Sequence, residues 1–318
     1  MKALKHFIYR SRYKNARSLP LKTPVDVTLE LSSVCQLRCD YCYWSDETKL
    51  PFSAKLMSKD TAFKILDQAS KAGVNSLKFN YRGEGTLNPF YEEITKKAKD
   101  LSNGMTFIDR LANTNFMFKN DNESVFRGLS NLTKVKVSYD SIRKEVFEKQ
   151  RIRGDHTLIT NNIDKFYNHA SRVKSETKIV LQAVRTQLNA DEDFDYMKKR
   201  WPEVELSIRD VVAGRKEKDI DDLEVKKRDD SERQPCLQAF NRLIFLHDGR
   251  VNPCCPAIKE SLVYGSIHDN TLIELFNSKR AKILRSKLKS GEAFKVFDEC
   301  KNCSSFESYK GYKAPWKS

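Results

Sequence analysis

Six runs with strand character, separated by segments of helical period, constrain this chain more than any other feature. The runs are Val25–Ser32 (VDVTLELS), Ser76–Arg82 (SLKFNYR), Thr106–Asn113 (TFIDRLAN), Lys134–Asp140 (KVKVSYD), Lys178–Thr186 (KIVLQAVRT) and Val204–Asp210 (VELSIRD). Between them lie SKDTAFKILDQASKAG, NPFYEEITKKAKDLSNG, NDNESVFRGLSN, TLITNNIDKFYNHASRV and NADEDFDYMKKRW, with apolar residues at helical intervals. Ser58 is placed to cap the first of these helices and Gly73 to end it. Strands alternating with helices of this length predict βαβ units around a parallel sheet. Six units fall short of a closed eight-stranded barrel. The predicted class is therefore α/β, with a parallel sheet either open or curved into a partial (βα)6 TIM-like barrel.

The texture changes after residue 213. Of the 19 residues from Arg215 to Arg233, 15 are charged and none follows an apolar period, which predicts a linker at 214–233. Beyond it, FNRLIFLHDGRVNPCCP reads as a β-hairpin around Asp248-Gly249, and Thr271–Gly291 as one amphipathic helix. Three parts are expected: a barrel with a basic N-terminal arm (1–213), the linker (214–233) and a small domain of hairpin plus helix (234–318).

A hydrophobic content of 39% can build a sizeable core. No apolar run reaches the roughly 18 to 20 residues that span a bilayer, and the N-terminus lacks a secretion signal. A cytoplasmic protein with no membrane association is expected. Lys plus Arg (58) against Asp plus Glu (43) leaves +15, a field that favours anionic partners. The cations are scattered over helix faces and not interleaved with aromatics, so nucleic acid is not the expected partner.

All eight cysteines fall into two groups, with none between Cys42 and Cys236. Disulfides are not expected in a cytoplasmic enzyme of this size, which moves metal binding or catalysis forward. The five histidines show no zinc-finger spacing, so thiolate alone is the expected ligand. Cys35, Cys39 and Cys42 stand at the spacing of one helix face, which would make them buried core thiols. The strand that runs straight into them argues instead for a loop at its C-terminal edge, where α/β folds place ligands. Soft thiolates favour iron–sulfur clusters or zinc. A cubane 4Fe–4S cluster takes four ligands, so three cysteines would leave one iron open.

CQLRCDYC (Cys35–Cys42), with the aromatic Tyr41 before its last cysteine, resembles the signature of the radical S-adenosylmethionine (radical SAM) superfamily. The resemblance implies that Cys35, Cys39 and Cys42 hold a 4Fe–4S cluster whose open iron chelates the methionine part of SAM. It continues in order along the chain. YRGEGTLNP is similar to the family's glycine-glutamate motif, which would set Gly83 and Glu84 at the SAM ammonium. NTNF resembles its Thr-Asn-Gly, giving Asn115 a cofactor role, with Phe116 in place of the glycine. VSYDS is similar to the fourth-strand motif, whose serine, here Ser138, approaches SAM. RIRGDHTLITNNI fits the following segment, without a task for Arg151 or Arg153.

The second group, Cys236, Cys254, Cys300 and Cys303, resembles the auxiliary-cluster domains called SPASM and twitch. The shorter twitch form fits better, because further SPASM cysteines around the last pair are absent. It implies a second, auxiliary 4Fe–4S cluster with four thiolates and Cys255 as a spare neighbour. A structural zinc site made from the same four thiolates stays open.

The family implies a radical SAM oxidoreductase: SAM is cleaved reductively to a 5'-deoxyadenosyl radical, a substrate hydrogen is abstracted, and the auxiliary cluster accepts the substrate electron. A carbohydrate or aminocyclitol-type metabolite is the expected substrate, because the 34 residues before Cys35 are few for a peptide-recognition domain. A peptide-modifying maturase is the alternative, and a zinc- or cluster-bearing RNA-binding protein a remote one. An acidic flavodoxin or ferredoxin is the expected electron donor.

Overall fold

The computed structural model describes residues 2–42, 44–45, 55–119, 122–210, 236–254 and 262–301. Helix α1 (Lys2–Asn15) precedes β1 (Asp26–Leu29). Then come α2 (Lys59–Lys71), β2 (Ser76–Lys78), α3 (Tyr91–Asp100), β3 (Asp109–Thr114), α4 (Glu123–Ser130) and β4 (Lys134–Ser138). Helices α5 (Lys144–Gln150) and α6 (His156–Arg172) lead to β5 (Lys178–Arg185), and α7 (Tyr196–Arg200) to β6 (Glu205–Asp210). The C-terminal part holds α8 (Gln238–Asn241), β7 (Arg242–Phe245), β8 (Val251–Asn252), α9 (Leu272–Phe276), α10 (Lys279–Lys289), α11 (Ala293–Val296) and α12 (Asp298–Lys301).

All six expected strands form, and they line up in chain order in one sheet, β6-β5-β4-β3-β2-β1-β7-β8. Every pairing is parallel except β7 with β8. Among the described residues β6 and β8 remain edges, so the barrel is open. β1 is buried on both faces, while β4 alternates buried and half-buried residues. Val27, Leu29, Leu77, Val135, Val137, Ile179, Leu181 and Ala183 pack into the core with Ile65 and Leu66 of α2, Ile94 of α3, Phe126 of α4 and Phe166 of α6. The alternate residues, such as Thr28, Lys78, Lys136 and Gln182, face the other way. A doubly wound sheet buries both faces and reads as continuous apolar strands. Polar alternation leaves room for helices on one side only, which makes this a half-barrel with a polar lumen.

Capping follows the local chemistry. Ser58 accepts a hydrogen bond from the Thr61 amide at 3.2 Å, and Gly73 takes φ +67° just past α2. The helix expected over Thr271–Gly291 is two helices, α9 and α10, broken at Asn277-Ser278. Thr271 and Ser278 each accept from the backbone three residues on, so each starts its own helix. The hairpin assigned by sequence to the C-terminal part joins the barrel sheet: β7 lies parallel to β1, with Asp26 opposite Arg242 and Leu29 opposite Phe245. The N-terminal arm is α1, held across the N-terminal ends of the strands. Tyr9 is buried and donates to Asp26 at 3.0 Å, while Arg12 donates to Asn75 at 2.8 Å. The segment 214–233, expected to be a linker, lies outside the described residues.

At the opposite, C-terminal edge a buried ion pair ties three strands together. Glu30, just after β1, receives two hydrogen bonds from the Arg82 guanidinium beyond β2. It also accepts from the backbone N–H of His247, beyond β7, at 3.1 Å. Burial alone would push the Glu30 carboxyl up; the bonds from Arg82 and His247 outweigh it, and its pKa lies below the ordinary carboxylate range. Removing one partner of such a pair strands the other charge in the core. Arg82→Ala is expected to cost about 3–5 kcal/mol of unfolding free energy. Lys96→Ala, which breaks an exposed pair with Asp100, is expected to stay within about 1 kcal/mol. Denaturant titration of the two variants checks this, and equal losses would contradict it.

Candidate functional site

The loop that follows β1 carries the first cysteine group, and its path is set by backbone contacts with its neighbours. The Glu84 amide donates to the Val34 carbonyl at 2.8 Å, and the Arg38 and Asp40 amides donate to Ile152 and Gln150 at 2.9 Å. Cys42 turns back on Cys39 through an N–H to carbonyl bond of 3.0 Å. The Arg38 side chain donates to the carbonyls of Cys35 and Leu37, both at 2.7 Å. None of the three is in a disulfide among the described residues; Cys39 is buried and the other two half-buried. Burial pushes the Cys35 thiol up to about 11 and Cys39 up to about 12, and the positive charge of Arg151 opposes the rise at Cys39.

Two of the three sulfurs meet N–H donors from other elements. The Asn115 amide, after β3, reaches the Cys35 sulfur at 3.7 Å, and the Arg151 guanidinium reaches that of Cys39 at the same distance. Arg151 is held by Asp140, the residue after Ser138-Tyr139, at 2.8 and 3.0 Å. Asp140 also accepts from the Tyr41 hydroxyl and from the Val184 amide at 2.9 Å. The structure thus places Asn115 at Cys35 and, through Arg151 and Asp140, ties Tyr41 to Cys39. It also gives Arg151 the place that the sequence left open. Asp140 was missed altogether; its signal was its position just past a strand end, beside the singled-out Ser138.

Gly83 is required by packing. A Cβ there would fall 2.4 Å from the Val34 carbonyl oxygen and 2.6 Å from backbone atoms of Ser32 and Ser33, closer than real contacts allow. Glu84 is buried, and its carboxylate accepts from the Thr86 amide at 3.2 Å, the Thr86 hydroxyl at 2.7 Å and the Asn115 amide at 2.7 Å. The Thr114 side chain also hydrogen-bonds to it, and since a carboxylate offers about four acceptor positions, Glu84 is fully engaged in bracing Thr86 and the end of β3. Phe116, where the resembled motif has glycine, adopts φ +55°. The backbone keeps the left-handed turn that glycine would make, and the Phe116 ring is anchored against Phe118 and Phe166 at 5.1 and 5.6 Å. Ser138 closes β4 on the lumen face, half-buried.

The second group gathers around Tyr264. Its phenol is buried and pushed up by that burial; Arg285 opposes the rise, while Cys254, Cys236 and Cys300 add to it. The Tyr264 hydroxyl and one Arg285 nitrogen are buried without a hydrogen-bond partner. Orphaned donors beside three thiols suit an anionic sulfur-rich group. Cys255 and Cys303 lie outside the described residues. Among the described residues no three Cys, His, Asp or Glu side chains converge on a single ion. A cubane makes a different demand, since each iron takes its own thiolate. No helix among the described residues is long and apolar enough to cross a membrane.

The SPASM family model, an iron–sulfur cluster-binding domain, matches residues 236–304. A GTP 3',8-cyclase of Clostridium botulinum (strain Hall) is 24% identical over 177 residues, 55% of this chain and 52% of that protein. The chain thus spans about half the length of the curated relatives it matches. Among solved structures, BtrN in complex with AdoMet and 2-DOIA superposes with a TM-score of 0.56 at 16% identity, over 88% of this chain and 92% of that one. Native anSMEcpe with bound AdoMet and the Cp18Cys peptide gives 0.60 at 19%, over 89% and 87%. Streptococcus suis SuiB bound to S-adenosylmethionine gives 0.58 at 13%, over 92% and 75%.

Gly83→Ala is expected to force the Ser32–Val34 backbone away and to cost about 1–3 kcal/mol in denaturant titration; unchanged stability would contradict the close packing. The cysteine loop at the C-terminal edge of β1, the one-sided parallel half-barrel and the match at residues 236–304 agree: this chain has the fold of the radical SAM superfamily and carries a SPASM iron–sulfur domain.

Proposed function

We propose that the chain is a radical SAM oxidoreductase in which Cys35, Cys39 and Cys42 hold a 4Fe–4S cluster and SAM binds against it at the top of the half-barrel. The observation that carries this reading is the loop itself: three thiols presented after β1, with N–H donors from Asn115 and Arg151 on two of the sulfurs. A cluster bound there would supply the electron that cleaves SAM to methionine and a 5'-deoxyadenosyl radical. Arg151 offsets negative charge at Cys39, and Asp140 keeps its guanidinium aimed there. N–H donation to ligand sulfurs is one of the protein's means of setting a cluster's potential. Gly83 lets the strand 2 loop lie flush against the cysteine loop, Glu84 receives the SAM ammonium in exchange for one of the donors it now holds, and Asn115, Tyr41 and Ser138 complete the surround.

Cys236, Cys254, Cys300 and Cys303 are proposed to hold an auxiliary 4Fe–4S cluster, supported by the orphaned Tyr264 and Arg285 donors. With a carbohydrate or aminocyclitol-type substrate, the net reaction is an oxidation. A peptide substrate is the second reading, favoured by the likeness to anSMEcpe, which was solved with a bound peptide.

Protein reconstituted without oxygen is expected to hold about eight irons per chain. Dithionite and SAM should then yield 5'-deoxyadenosine, and Cys39→Ala should abolish it. Continued 5'-deoxyadenosine production by that variant would remove the first cysteine group from the reaction. Turnover with aminocyclitols against short peptides decides between the two substrate classes.

A further inference from the structure

A closed barrel fills its lumen with layers of Val, Ile and Leu; here the corresponding face carries cations. The strand register fixes the rows. Thr28, Lys78, Leu111, Lys134 and Lys178 stand side by side across β1 to β5. The next row holds Asn113, Lys136, Val180 and Glu205, and the one beyond it Ser138, Gln182 and Ser207. Arg209 follows on β6, beside Val184. Lys136 and Ser138 share the lumen face of β4 two residues apart, roughly 6.6 Å along the strand. Lys136 therefore lies one row below a residue assigned to SAM.

A cavity of about 2120 Å³ occupies this space, lined by Lys78, Lys136, Gln182 and Arg209 and bordered by Tyr9 of α1. The strongest charges on Lys136 come from Arg209 of β6, Lys78 of β2 and Lys134 of β4, opposed by Asp109 of β3, and the carboxylates of Asp26 and Glu205 also line the cavity. Glu205 is shared between Lys134 and Lys178. Among the described residues Lys136 makes no ion pair. Burial, then these cations, pull its amine down to about 8, which still leaves it largely protonated at neutral pH. Cations held together in an open, polar cavity repel one another, and a bound anion relieves that repulsion while gaining charge-assisted hydrogen bonds.

We infer that this lumen receives an anionic group of the substrate, a phosphate or carboxylate, on Lys136 and Arg209 with Lys78 beside them, so that the rest of the substrate points up toward the cysteine loop. The inference rests on the reading of the site given above and adds a substrate class to it. Calorimetric titration of the full reconstituted chain with inorganic phosphate and with succinate tests it. Binding of at least one probe is expected, weakening as salt rises. Lys136→Met and Arg209→Gln should each lower its affinity about tenfold or more, whereas Lys282→Met, on the exposed face of α10, should not. The tighter probe tells phosphate from carboxylate. Failure of both probes to bind, or equal affinity in Lys136→Met protein with an unchanged melting curve, would overturn the inference. Anion binding without 5'-deoxyadenosine formation would keep this site and defeat the reaction; formation without anion binding would do the reverse.

Discussion

Glu30 is the point at which the two halves of the molecule are joined. Its carboxylate has no water to lean on, so it must be satisfied by protein, and the donors come from strand ends far apart in sequence: Arg82 after β2 and His247 after β7. Each donor then fixes something else. Arg82 lies against the rings of Trp44 and Tyr81, at 5.3 and 5.4 Å, and is followed by Gly83, which presses on the cysteine loop. His247 opens the turn into β8 and Cys254. A buried charge pair is a poor source of net stability but a strong source of uniqueness once formed, and here it sets the relative position of three strand ends. The first cysteine loop follows one of those ends, and Cys254 follows the hairpin that begins at another.

The upper and lower parts of the lumen do different chemistry. At the top, thiols, amide N–H groups and one buried guanidinium suit a sulfur-rich anionic cofactor. Below Ser138, lysines line the cavity, with Arg209 one row above, and α1 borders it through Tyr9. A chain with an excess of positive charge could have spread it over the surface alone. Part of it is instead directed inward, on alternate residues of the strands, where the geometry of a parallel sheet turns sequence parity into a lined chamber.

Much of this was legible before any coordinates. The six strands could be read because the core face of each is apolar and the other face largely polar, which imposes a two-residue period. The first cysteine group could be read because a strand runs directly into it. What escaped was non-local or depended on backbone geometry. Nothing near Arg242 announces that β7 will lie beside β1, since the pairing joins residues more than two hundred positions apart. Arg151 and Asp140 meet because a loop folds back, and neither residue type is rare enough to signal it. Phe116 looks like a departure from a glycine motif until its φ shows that the turn survived and only the side chain changed. The break between α9 and α10 did have a local signal: Ser278 is a good N-cap, overlooked because the apolar period runs through it.

The parallel ladder between β1 and β7 has a mechanical meaning. Cys35 follows β1 and Cys254 follows β8, with β7 between them in one hydrogen-bonded sheet, and swinging one away from the other would mean tearing a ladder. Among the described residues, the spacing of these two cysteines is therefore set by strand pairing and not by a hinge.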